Sequence, residues 1–279
     1  MTAAEPSAGT SYGLVTRRSL LLAGLAGGAA VVGRYALAGR RAGVSTAAGP
    51  TVTNAERRAA QPEALFRIPT TEPMVALTFD DGPDPLYTPA VLDVLASRGA
   101  TATFFLVGVN AAAEPELVQR ILDGGHGVGN HTHDHRSLDA LTAQQVRVEI
   151  QQGHDALIAA GCPAPDLFRP PRGYTSPIVG TLADSYSYRT VFWDLCVEHF
   201  VNDQPVADGV EQLVSEVRPG SIILAHDSGR IVGSGHAPLS RARTIEALPE
   251  LLDGLTERGL KVVDVATLLQ ATGTPTLAV

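Results

Sequence analysis

Cysteine is nearly absent: Cys162 and Cys196 are the only two among 279 residues, which excludes a small scaffold stapled by several disulfides. Two readings of that pair stay open, one disulfide in an exported protein or two buried free thiols. Positive charge is also in deficit. Lys and Arg number 21 against 29 Asp and Glu, a formal net charge of -8. This argues against nucleic acid or an anionic membrane surface as the main partner, because both select basic patches. A neutral sugar polymer suits the charge better. The apolar run near the N-terminus, Leu20 to Val32, has 13 residues. As helix it reaches about 20 Å, too short for a hydrocarbon core of roughly 30 Å.

That run has a different use. Thr16-Arg17-Arg18-Ser19 supplies a charged start, Leu20 to Val32 an apolar centre, and Ala36-Leu37-Ala38 the small residues that signal peptidase needs. Residues 1–38 therefore read as a signal peptide cut after Ala38. The paired arginines resemble a twin-arginine signal, with Sec export as the other route. A secreted or wall-associated protein follows, with no stable membrane span after cleavage. Residues 39–71, rich in Ala, Gly, Thr, Arg and Pro without periodicity, read as a linker, and 72–273 as one domain. With 44% hydrophobic and 18% charged residues, the chain can bury a real core.

From Met74 onward, strand-like runs near 74–79, 101–107, 126–131, 166–169, 188–194, 221–225 and 260–264 alternate with amphipathic segments. Such alternation implies parallel strands. Thr142 with Gln145 forms a capping-box pattern, Gly161 follows the end of that helix, and Ser176-Pro177 marks another helix start. The units fall one short of a regular eightfold barrel. The expectation is an α/β fold, a distorted, incompletely closed (β/α) barrel of seven to eight units, with an open doubly wound sheet as the alternative. The polar groups decide for the barrel, because Asp80-Asp81, His131 and His135, Arg169, the stretch Asp194 to Glu198, and His226 each follow a strand. Barrel enzymes place their chemistry at that end.

Four groups carry chemistry. In Thr78-Phe79-Asp80-Asp81-Gly82-Pro83 an apolar strand runs into two carboxylates. Burying both costs free energy unless a cation offsets it, so one Asp suits a metal and the other a base; the plainer alternative is a capped Asp-Gly turn. Asn130-His131-Thr132-His133-Asp134-His135 holds three histidines, of which His131 and His135 suit one ion; His133 points elsewhere and His126 lies at the far end of its strand. Two histidines and an aspartate leave coordination positions open, the mark of a catalytic site, where a metal polarises a carbonyl and lowers the pKa of water toward about 7. Phe168-Arg169-Pro170-Pro171-Arg172-Gly173 is stiffened by two prolines. It lets Arg169 pair with Asp80 and a turn N–H face an oxyanion. Ser221-Ile222-Ile223-Leu224-Ala225-His226-Asp227 ends an apolar strand in a histidine suited to general acid work.

Taken in order, these groups resemble the NodB-homology polysaccharide deacetylases, carbohydrate esterase family four, over roughly residues 72 to 270. The resemblance implies a distorted (β/α) barrel and a divalent metal, zinc first, cobalt or another ion otherwise, held by Asp81, His131 and His135. It implies Asp80 as the base, Arg169 as the residue that orients it, His226 as the acid, and the Arg172 N–H at the oxyanion. Where the family usually has Asp-Trp, this chain has Glu198-His199, so Glu198 would tune His226 while one wall of the sugar groove loses its indole. Arg172 stands where an aromatic is frequent.

The implied activity is hydrolysis of N-acetyl groups on amino sugars of peptidoglycan or chitin-type oligomers. An O-acetyl esterase acting on xylan-type polymers and a catalytically idle wall-binding protein are the rivals. A glycosidase using Asp80 and Asp81 is disfavoured, because its two carboxyls must stand about 5 Å or more apart across a sugar.

Overall fold

Side chains along Met74–Asp80 alternate between two environments. Val75, Leu77 and Phe79 join a large apolar cluster, Ala76 joins a separate one, and Thr78 and Asp80 share its face. Alternation of period two is what a strand imposes; here it divides the outside of a curled sheet from its inside. In the computed structural model, which describes residues 53–272, this strand is β1. The expected signal peptide, residues 1–38, and the first part of the expected linker lie outside the described residues.

The strands that follow are β2 (Thr103–Leu106), β3 (Gly127–Asn130), β4 (Leu167–Phe168), β5 (Arg189–Thr190), β6 (Leu195–Cys196), β7 (Ile222–His226) and β8 (Lys261–Val263). They form one sheet in the order β5-β4-β3-β2-β1-β7-β6, with β8 also on β1, and every strand pair is parallel. The path starts at β5 and stops at β6, so the barrel is incompletely closed, as expected. Across the gap runs the N-terminal segment, Leu65 bridging Val191 in parallel and Arg67 bridging Ser221 antiparallel.

The helices are α1 (Asn54–Ala60), α2 (Thr88–Ser97), α3 (Gly108–Ala113), α4 (Pro115–Asp123), α5 (Ala143–Ala159), α6 (Pro177–Asp184), α7 (Val197–Val201), α8 (Val206–Glu216), α9 (Ala242–Glu257) and α10 (Val265–Ala271). Leu95 of α2, Ile121 of α4, Leu213 of α8 and Leu251 of α9 are wholly buried on the outward residues of β1, β2 and β7. Each such side chain contributes about 1.5–3 kcal/mol relative to exposure. The helix signals are realised as hydrogen bonds. Gln145 N donates to Thr142 Oγ1 at 3.4 Å while Thr142 N donates to Gln145 Oε1 at 3.0 Å. Val179 N donates to Ser176 Oγ at 3.4 Å, and Gly161 takes φ +94° after α5.

Two expectations are corrected. The single strand read over 188–194 is two short ones, β5 and β6, because the Val191 and Phe192 carbonyls accept from Arg169 Nε and Nη2 at 2.9 and 3.0 Å. The linker read over 39–71 does not hold from Thr53 onward. Thr53 and Glu56 close a capping box on α1, and Phe66 and Ile68 are buried. Both cysteines are free and buried, so the disulfide reading falls. Burial pushes the Cys162 thiol up to about 11, and burial together with the neighbouring Glu198 carboxylate raises that of Cys196 well above the ordinary thiol range.

Candidate active site

Asp80 and His226 end β1 and β7, while His131 and Arg169 stand one residue past Asn130 and Phe168, the last residues of β3 and β4, whose own side chains pack outward against α5 and α6. Asp81 follows β1 and takes φ +75°; His131 follows β3; Thr132 and His135 take φ +69° and +56°. Such left-handed positions cost of order 1–3 kcal/mol each for residues other than glycine, and they persist where the surroundings enforce them. Asn110 of α3 does part of the enforcing. Its Nδ2 donates to the Asp81 carbonyl at 2.7 Å, and its Oδ1 accepts from Val232 N at 2.9 Å.

The result is a triad of ligand type. Donor atoms of Asp81, His131 and His135 all lie within 4.8 Å of one another. Asp81 Oδ1 stands 3.0 Å from His135 Nε2 and 3.6 Å from His131 Nε2, yet this buried oxygen makes no hydrogen bond. A carboxylate and two imidazoles aimed at one point, with an orphaned oxygen, suit a divalent cation. His131 Nδ1 is 2.7 Å from the Arg169 carbonyl, which fixes the proton on Nδ1 and leaves Nε2 free as a ligand. Burial opposes ionisation of Asp81, but the His135 and His131 rings hold it well below the ordinary carboxylate range. Burial lowers His135 as well, favouring the neutral ligand form. His133 stays outside the triad, its Nδ1 buried and unpaired beside α3, and His126 lies at the far end of β3, where its Nδ1 accepts from Ala102 N at 3.3 Å.

Beside the triad lies the second carboxylate. Arg169 is wholly buried inside the barrel, its Nη1 donating to Asp80 Oδ1 at 2.6 Å and to Thr78 Oγ1 at 2.9 Å, its guanidinium carbon 4.1 Å from the Phe105 ring centroid. Asp80 Oδ2 remains 3.6 Å from His131 Nε2. The base candidate is thus ionically held on one oxygen, while the other faces the triad.

Across the mouth, Glu198 Oε1 stands 3.1 Å from His226 Nδ1 and accepts from the His226 N–H and from Thr244 Oγ1 at 3.1 and 2.9 Å. Burial opposes the charge on both groups. Their mutual attraction wins, lowering Glu198 to about 2 and raising His226 above the ordinary histidine range. Glu198 thus faces His226 directly, and the neighbouring His199 is exposed. Asp194, grouped with these residues in the sequence, is elsewhere: it accepts from Ser221 Oγ and Ile222 N, each at 2.8 Å, at the start of β7.

Arg172 takes φ +57° in the turn Pro171–Gly173. Its exposed side chain leans over the triad, Nη1 donating to Ser137 Oγ at 3.0 Å and to the His135 carbonyl at 3.3 Å. A cleft of about 780 Å³ opens here, lined by His135, Ser137 and Arg172 on one side and by Val109, Val232 and His236 on the other.

Two residues at the site carried no sequence signal. Arg241 donates from Nη2 to Asp81 Oδ2 at 3.2 Å and from Nε to the Ser228 carbonyl at 2.7 Å; its partner lies 160 residues away in the chain. Asp227 is wholly buried behind the first turn, accepting from Thr88 Oγ1 at 2.6 Å, and burial pushes it up to about 7.

Comparison with known proteins agrees with this geometry. A family profile described as "Polysaccharide deacetylase" matches residues 67–191. The peptidoglycan-N-acetylglucosamine deacetylase of Bacillus cereus is 35% identical over 209 residues, 74% of this chain and 92% of that protein. A chitooligosaccharide deacetylase of Sinorhizobium fredii is 37% identical, with 68% of this chain and 89% of that one covered. Among solved structures, a peptidoglycan N-acetylglucosamine deacetylase bound to an N-oxidanyl-benzamide compound superposes with a TM-score of 0.68 at 28% identity, covering 78% of this chain and 97% of that one.

Proposed function

The chain belongs to the polysaccharide deacetylase family, and from that membership we propose that it hydrolyses N-acetyl groups on amino sugars of the cell wall, with Asp81, His131 and His135 holding a divalent ion. It is a hydrolase of carbon–nitrogen bonds other than peptide bonds. The observation that carries the site assignment is the convergence of the three ligand-type side chains next to the Asp80–Arg169 pair.

The donor set favours zinc, which when bound would polarise the acetyl carbonyl and make water acidic enough to attack near neutral pH. The chain's own residues supply the rest. Asp80, oriented by Arg169, accepts the proton of the attacking water. The Arg172 N–H, in a turn fixed by Pro170 and Pro171, faces the developing oxyanion. His226, kept protonated by Glu198, gives its proton to the departing amine, so the sugar leaves as a neutral amine rather than an amide anion.

The named relatives act on peptidoglycan and chitooligosaccharide, which favours an amino-sugar amide over an O-acetyl ester of xylan. Export to the wall through the N-terminal signal completes the reading; among the described residues no helix is long and apolar enough to cross a membrane. Acetate release from N-acetylglucosamine oligomers, peptidoglycan and acetylated xylan, before and after chelation and with zinc or cobalt restored, tests it. Release that survives complete chelation, or that occurs from xylan alone, overturns it.

A further inference from the structure

Helix α1 lies before the region matched by the family profile, yet it reaches the active-site turn. Arg57 is buried on it, although nothing in its local sequence demands a buried arginine. Its Nε donates to the Gly173 carbonyl at 3.0 Å, its Nη2 to the Arg172 carbonyl at 3.4 Å, and its Nη1 to Asn54 Oδ1 at 2.8 Å. The guanidinium carbon sits 4.6 Å from the Trp193 ring centroid, and Asn54 Nδ2 donates to the Trp193 carbonyl at 3.1 Å. Gln61, just past the helix, donates to Thr175 Oγ1.

The turn so gripped is the one with two successive left-handed residues, Arg172 at φ +57° and Gly173 at φ +66°. A Cβ at position 173 would fall 2.5 Å from Arg57 Nε, so glycine is required there for the guanidinium's approach as well as for φ. Two consecutive carbonyls pointing at one cation fix the orientation of the intervening peptide plane. The peptide on the N-terminal side of Arg172, whose N–H matters for the oxyanion, is then bounded by Pro171 before it and by this clamp after it. Trp193 also contacts Arg169, whose guanidinium carbon is 5.5 Å from its ring centroid. Base and turn are thus tied through one indole.

We infer that Arg57 is a positioning residue, which holds the Arg172–Gly173 turn from helix α1 so that the Arg172 N–H stays aimed at the acyl oxygen. The catalytic part of this inference rests on the oxyanion role proposed above; the clamp itself does not. Charge-assisted hydrogen bonds to two carbonyls are among the stronger neutral-acceptor bonds a side chain makes. Misplacement by an ångström at such a donor costs up to about a hundredfold in rate.

The test uses the full-length protein with Arg57→Met, which keeps an apolar chain on Trp193 but loses every donor, Arg57→Lys, which keeps one cationic donor group, and Arg58→Met as a neighbour that does not reach the turn. Amide hydrogen exchange at residues 172–175, zinc stoichiometry, and kcat and KM on an N-acetylglucosamine oligomer are read together. Arg57→Met should lose exchange protection at 172–175 while that of α5 and the zinc content stay unchanged. Its kcat should fall by about ten- to a hundredfold with KM within about threefold. Arg57→Lys should recover part of both protection and kcat, and Arg58→Met should match the parent. Unchanged protection in Arg57→Met overturns the clamp whatever the activity. Lost protection with unchanged kcat overturns its catalytic role, and a parent enzyme inactive with zinc bound would instead count against the deacetylase reading while the exchange result still judges the clamp.

Discussion

The carbonyl oxygen of Arg169 is 2.7 Å from His131 Nδ1, and the guanidinium of the same Arg169 is 2.6 Å from Asp80 Oδ1. One residue therefore orients a ligand-type histidine through its backbone and the base candidate through its side chain. The two functions separate by mutation. Arg169→Lys keeps the carbonyl, so zinc content should stay near one per chain, whereas the fork that holds Asp80 and the Val191 and Phe192 carbonyls is lost. An expected fall in kcat of about 10²–10³ and a stability loss of about 1–3 kcal/mol, the cost of leaving buried acceptors without their donors, are measured by initial rates and denaturant titration. Loss of zinc in parallel with activity would show that the side chain, not the carbonyl, places His131.

Asp80 and Asp81 are adjacent, but their surroundings differ: Asp80 bonds to Arg169, and Asp81 faces two imidazoles. Asp80→Asn should abolish turnover with zinc retained, while His131→Ala should release the metal. Metal analysis of the two purified variants beside their acetate-release rates decides the matter. A fully active Asp80→Asn variant, or an unchanged zinc content in His131→Ala, rejects the corresponding role.

The parts legible in the sequence were those set by local pattern. Short apolar, β-rich runs marked β1 and β7, and the abrupt change from apolar to polar at Asp80 and His226 marked their mouth ends. Short strands were less legible: β4, β5 and β6 have two residues each and depend on neighbours for their ladders, so their limits carry little local signal. Helix α1 escaped because its seven residues show no apolar stripe, although Thr53 and Glu56 spell a capping box. Arg57 and Arg241 were invisible for a different reason. Their partners Gly173 and Asp81 lie 116 and 160 residues away, and an arginine destined for burial looks the same in sequence as a solvated one.

Gly82 follows the two carboxylates where the chain passes Asp227 at close range. A Cβ there would meet the Asp227 carboxylate at 2.4 Å, and that side chain is wholly buried and bonded to Thr88. Gly82→Ala should therefore destabilise by about 1–3 kcal/mol, the usual cost of overpacking, and weaken zinc binding by displacing Asp81. Thermal unfolding with and without zinc reads both effects. An unchanged melting temperature would mean that Asp227 moves aside freely.

The His226–Glu198 pair predicts a pH dependence whose sign can be worked out. In the proposed mechanism protonated His226 is the acid, so activity is retained below its raised pKa and declines as pH climbs through it. Burial alone would lower that pKa; the charge and hydrogen bond of Glu198 lift it. Glu198→Gln removes the charge, so the alkaline limb of kcat/KM should move to lower pH, and Glu198→Asp should restore part of the shift. Stability follows the same logic through linkage. The His226 contribution is complete below its ordinary 6.5 and disappears as pH rises through the raised value, while that of Glu198 is complete above its ordinary 4.5 and disappears as pH falls through about 2. The pair therefore stabilises most between those two ordinary values. Denaturant titrations across pH should show the parent losing its advantage over Glu198→Gln on both sides of that window. An alkaline limb that stays in place in Glu198→Gln would mean that some group other than His226 limits the reaction at high pH.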